Sequence, residues 1–93
     1  MKKKADIKIR GKKPRLLYVE WVDIISHSIW RPLAEAEKSK PKTIVTVGFE
    51  VVSNKEALTV AASVGEDDPE DDDKVSDTVT IPRGCIKSIR VIE

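Results

Sequence analysis

Residues 43–64, TIVTVGFEVVSNKEALTVAASV, restrict the fold more than any other part of the chain, because side chains alternate in character with a period of two. Val45, Val47, Phe49 and Val51 point one way, and Ile44, Thr46, Gly48, Glu50 and Val52 the other. After SNKEA the pattern resumes, with Leu58, Val60, Ala62 and Val64 set against Thr59, Ala61 and Ser63. That period belongs to an extended strand, whose successive side chains leave on opposite faces. The stretch reads as strand–turn–strand, with Asn54 as the left-handed turn residue. Gly48 in mid-strand predicts a strong bend or a bulge.

Other segments extend this β pattern. RLLYVEWVDIIS is expected to be a long strand with both faces partly covered. Leu17, Val19, Trp21 and Ile25 share one side of it, and Asp23 is a local break. IWRPLAEAEKSK changes character and predicts a helix of about two turns. Pro32 suits its first position, Glu35 its positive end and Lys38 and Lys40 its negative end, while Pro41 stops it. Trp30 and Leu33 are expected to pin it to the sheet. TVTI and IKSIRVI are two further strands, interrupted by Pro82-Arg83-Gly84-Cys85. A single 3₁₀ turn explains the interruption: Pro82 supplies a fixed φ, Gly84 a free one, and Ile81 and Ile86 plug the end. Five short strands in a chain of this size predict a mainly β fold. The expected architecture is a five-stranded, strongly bent SH3-like barrel with one short helix between strands 1 and 2.

Ninety-three residues make one domain with a small core. The single cysteine, Cys85, excludes an internal disulfide and fits a reducing compartment. No apolar run nears the length of a membrane helix, and the charged start is unlike a signal peptide, so a cytoplasmic protein is expected. The net charge of +1 conceals two opposed blocks. Residues 1–15 carry eight Lys and Arg against Asp6 alone, and residues 66–77 carry eight Asp and Glu against Lys74 alone. Such blocks stay solvated. The expected organisation is a basic flexible arm over 1–14 and a β-barrel domain over 15–93, with an acidic loop at 66–77.

TVTIPRGCIKSIRVI resembles the second motif of Sm-like proteins, where a strand ends in Ile-Arg-Gly and an aliphatic residue follows. VGFEVVSNKEALTVAAS resembles the first motif, a bent glycine-containing strand, a turn and a second strand. The resemblance covers residues 43–93. It implies a barrel whose copies assemble into rings by pairing strand 4 of one subunit with strand 5 of the next. It also implies RNA contact by the Arg-Gly pair, here Arg83 and Gly84. Three features depart from the family. Its turn Asn has an apolar counterpart here, its helix precedes the first strand rather than following it, and Pro82 stands between the motif's Ile and Arg. In general style the chain also resembles small phage-encoded proteins, some of them Sm-like, which implies a bacterial or phage host.

The side chains offer little for catalysis. In SHS, a serine and histidine one residue apart point to opposite faces of a pleat, so His27 is poorly placed to activate Ser26 or Ser28. Cys85 reads as a small half-core residue despite neighbouring Arg83. Cys and His are too few for zinc, and the acidic run lacks the glycine and final glutamate of a calcium loop. No cofactor and no enzyme activity are expected. Trp21 and Trp30 read as core and anchor residues. Phosphate attraction needs only Lys and Arg, so Lys12, Lys13 and Arg15 join Arg83 and Gly84 as nucleic-acid-binding candidates. The expected protein is a non-enzymatic homo-oligomer that binds RNA. The alternative is a protein-interaction or virion-structural module without nucleic acid.

Overall fold

The structure, a computed structural model, describes residues 6–66 and 74–93. It is mainly β. Strand β1 (Leu16–Asp23) leads through a short helix α1 (Leu33–Ala36) to β2 (Lys42–Ser53), β3 (Ala57–Val64) and β4 (Val75–Pro82). One 3₁₀ turn, Arg83–Cys85, then delivers the chain to β5 (Ile86–Val91). All five strands form one antiparallel sheet in the order β4-β3-β2-β1-β5. The two outer strands are consecutive in sequence but do not pair, so the sheet is open.

Strand β2 holds the sheet together by changing partners along its length. Residues 42–49 pair with β1, from Asp23↔Lys42 to Leu16↔Phe49. Residues 49–53 pair with β3, with a register shift between Glu50 and Val52 that makes Val51 the extra residue. Gly48 sits at the hand-over. A Cβ there would lie 2.9 Å from the Ala61 carbonyl oxygen and 3.2 Å from the Val60 Cβ. The bend expected from the sequence therefore has a steric cause: β3 crosses where a side chain would stand.

The core is small and lies on one face. Leu17 and Val19 of β1, Leu58 and Val60 of β3 and Ile81 of β4 are fully buried, with Trp21, Val79, Cys85 and Ile86 against them. Each fully buried aliphatic side chain contributes about 1.5–3 kcal/mol. Trp21 is half-buried against this core and donates its indole N–H to Thr46 Oγ1 at 2.9 Å, which satisfies the polar end of an otherwise apolar side chain. On the opposite face Arg90 lies over the Tyr18 ring, 4.6 Å from its centroid.

Four details differ from the sequence expectations. First, β1 ends at Asp23, whose carboxylate accepts a hydrogen bond from the Ile24 backbone N–H at 2.8 Å. Second, α1 is a single turn that buries none of its residues, and Trp30 and Leu33 are exposed rather than pinned to the sheet. Third, Asn54 does not adopt a left-handed φ; its side-chain oxygen instead accepts from the backbone N–H groups of Glu56 and Ala57 at 2.9 and 3.0 Å. An Asx turn of this kind bends the chain without strained backbone. Fourth, β4 begins at Val75, so the strand takes in part of the expected acidic loop. Asp77 within it has φ of 53°. Of that loop, residues 67–73 lie outside the described residues.

Residues 6–14, expected as part of a basic arm, lie against the domain. Ile9 and Lys12 exchange two backbone hydrogen bonds, 2.8 and 3.1 Å, across Arg10 and Gly11, whose φ values are 50° and 76°. Two successive left-handed residues make the tight hairpin turn that matches strand twist, and the second is glycine. Ile9 is buried, and Ile7 bridges to Glu66. The apolar residues at alternate positions of IKIR thus find an edge within their own chain. Among the described residues, no helix is long and apolar enough to cross a membrane.

Candidate nucleic-acid interface

The turn between β4 and β5 is fastened to the β2–β3 hairpin by Arg83. Its backbone N–H donates to the Glu56 carbonyl at 3.0 Å. Its guanidinium donates through Nε to the Asn54 carbonyl at 2.7 Å and through Nη2 to Ser53 Oγ. Pro82, at φ −59°, sets the chain into the turn. Arg83 itself is half-buried, while its guanidinium bonds to the hairpin lie at the exposed surface. The break in the β pattern therefore places one long cation across two chain reversals.

Gly84 plays a different part from the one expected. It does not have a left-handed φ, and a Cβ on it would meet nothing within 4 Å. The turn does not need glycine for conformational freedom. The effect of having glycine is an uncovered stretch of backbone beside Arg83.

Two further arginines reach the same end of β2. Arg15 forms a two-pronged pair with Glu50, Nε to Oε1 at 3.1 Å and Nη2 to Oε2 at 2.6 Å. Glu50's hydrogen bonds and charge hold the Arg15 guanidinium pKa above its ordinary value. The backbone supports the pair, since the Glu50 N–H donates to the Arg15 carbonyl at 2.9 Å. Arg10, carried over by the Ile9–Lys12 turn, donates through Nη2 to the Val51 carbonyl. Glu50, Val51 and Ser53 of β2 and Asn54 just beyond it thus receive guanidinium groups from Arg15, Arg10 and Arg83. At ~3.3 Å per residue, the β2 part of this strip is about 10 Å long.

Of the sequence-predicted set, Arg15 bonds to Glu50 and Arg83 to Ser53 and Asn54, with Gly84 next to Arg83 in the chain. Lys12 is exposed in the arm's turn, and Lys13 points to Glu93, Nζ to Oε1 at 3.9 Å. Lys13, Pro14, Ile7, Leu16 and Phe49 line a separate apolar cleft of about 340 Å³ between the arm and the sheet. Sequence reasoning missed Arg10. The signal was Arg10-Gly11 after IKI, a dipeptide suited to a two-residue hairpin turn that would fold the arm back. His27 lies exposed between β1 and α1, and Cys85 is a free thiol half-buried against the core.

A scan of protein-family models, a search of curated proteins and a search of solved structures each returned no match.

Proposed function

We propose that the protein is a non-enzymatic, oligomeric RNA-binding module of Sm-like character, and that single-stranded RNA runs along the Arg10–Arg15–Arg83 strip. The observation that carries this reading is that guanidinium groups from three separate chain segments each bond to a residue within Glu50–Asn54. Arginine suits phosphate because its planar fork can offer two parallel donors. Arg83 uses two donor groups on the hairpin and retains others for a ligand. The open backbone at Gly84 allows close approach. The resemblance of Ile81-Pro82-Arg83-Gly84 and of the β2–β3 hairpin to the two Sm motifs gives the same placement. In this reading the open sheet curls toward a barrel, with β4 and β5 joined at the 3₁₀ turn.

Fluorescence anisotropy of labelled oligo(U), oligo(A) and duplex DNA tests the proposal at about 50 mM salt, where phosphate contacts are strongest. Oligo(U) or oligo(A) is expected to bind more tightly than duplex. Arg83→Ala and Arg10→Ala are each expected to weaken binding and to flatten its salt dependence, while Lys87→Ala leaves it unchanged. Equal binding by all variants would overturn the assignment of the site. No binding by the native chain would overturn the RNA reading.

The runner-up is a protein-interaction module. The exposed Ile24, Ile29, Trp30 and Leu33 favour it, because a run of large apolar side chains in water marks a contact surface.

A further inference from the structure

Among the described residues, three of the stretches the open sheet leaves at its edges are the outer sides of β4 and β5 and the first half of β2, and they are unlike one another. The outer edge of β4 carries Asp77 in a left-handed conformation and ends at Pro82. A charge, a kink and a missing donor all discourage a strand from adding there. The outer edge of β5 carries Lys87 and Arg90 in a six-residue strand. The third edge belongs to the first half of β2. Residues 42–48 pair with β1 on one side, while β3 takes up β2 only from Phe49 onward. This edge reads KTIVTVG, with its one charge at the end, no proline and no bulge. Val45 and Val47, on the same face, remain 46% and 49% exposed.

We propose that this edge pairs with the same edge of a second copy, making a two-fold dimer with a continuous antiparallel sheet. It is independent of the RNA reading. Symmetry fixes the register. Two identical antiparallel edges can meet only about an axis perpendicular to the sheet, so facing residue numbers must have an even sum. Using the whole free stretch, 42–48, puts the axis at Val45. Val45 then faces the second copy's Val45, Val47 faces Thr43, Ile44 faces Thr46 and Lys42 faces Gly48. No like charges meet, β-branched residues face one another, and both strands gain backbone partners for groups the monomer leaves to water. The net charge of +1 gives little repulsion between copies. Each copy's Arg83 site lies beyond the bend at Gly48, on the half of β2 that the dimer leaves alone. The ring that the Sm resemblance implies would instead use β4 and β5, the two edges with proline, charge or strained backbone.

Sedimentation equilibrium of the full chain is expected to give twice the monomer mass. In a Cys85→Ala background, Val45→Cys is expected to form a disulfide-linked dimer on mild oxidation. Directly facing residues of antiparallel strands have Cα atoms about 4.5–5.5 Å apart, within disulfide reach. Thr80→Cys on β4 and Lys87→Cys on β5 should not cross-link. Val45→Lys places two ammonium groups at the axis and is expected to give a monomer with unchanged far-UV circular dichroism, since Val45 is already half-exposed. The RNA reading predicts that binding of oligo(U) by that monomer still falls on Arg83→Ala, so failure of the dimer and failure of the RNA reading are separately visible. A monomeric native chain, a dimer that survives Val45→Lys, or cross-linking through positions 80 and 87 but not 45 would overturn the proposal.

Discussion

Gly48 and Gly84 show how differently one residue type can be used. At Gly48 a methyl group would press on the Ala61 carbonyl oxygen at 2.9 Å, and that oxygen is backbone, so it cannot swing away. Gly48→Ala is expected to cost about 1–3 kcal/mol in urea unfolding, the usual range for forcing extra volume into a filled site. Gly84→Ala meets open space and is expected to stay within about 0.5 kcal/mol of the native chain. Arg83 lies between these cases. From the sequence, two readings of Arg83 stay open: a rim residue whose loss leaves stability nearly unchanged and weakens RNA binding, or a structural residue whose loss lowers stability with no selective effect on RNA. Its guanidinium bonds to Asn54 and Ser53 favour a loss of stability. Arg83→Ala removes two hydrogen bonds of roughly 0.5–1.5 kcal/mol each. Its melting temperature is therefore expected to fall, with calorimetry as the check. Arg83→Lys should recover less than half of the loss, because an ammonium cannot reproduce the planar fork.

Among the elements, the strands were legible in the sequence and the connections less so. A period of two survives whatever surrounds it, so β2, β3 and the inner residues Leu17, Val19 and Trp21 of β1 were identifiable from side-chain alternation. Helix α1 was legible in kind but not in length or docking. Proline, glutamate and alanine report local preference, whereas a helix this short depends on an apolar face finding a partner. Among the described residues Trp30 and Leu33 stay exposed, and α1 buries nothing. Charge dominated the reading of residues 1–14, of which 1–5 lie outside the described residues; within 6–14 Ile9 is buried and the turn at Arg10-Gly11 folds the segment back. Arg10 was missed at the site for that reason. A chain beginning at Arg15 is therefore expected to lose about 1.5–3 kcal/mol, the contribution of one buried isoleucine. Comparison of its chemical denaturation with that of the full chain checks this. Ile9→Asp should reproduce much of the loss without removing any of the arm's lysines.

For the whole molecule, the core sets the limit. Leu17, Val19, Leu58, Val60 and Ile81 are few, and a domain of this size has little stability to spare. Leu58→Ala, which removes a fully buried side chain near the start of β3, is expected to cost about 2–5 kcal/mol and to leave the domain partly unfolded at 25 °C by near-UV circular dichroism. The proposed function rests on what this small core supports: a bent strand, a hairpin fastened to a 3₁₀ turn, and arginines bonded to both. The central claim is that RNA lies on this strip. A titration of the ¹⁵N-labelled full chain with oligo(U), followed by amide chemical shifts, tests it most directly. The account predicts that the amides of residues 50–56 and 83–85 shift together and saturate together, while those of 24–33 stay in place. Shifts confined to residues 24–33, or a spectrum unmoved by oligo(U), would contradict it.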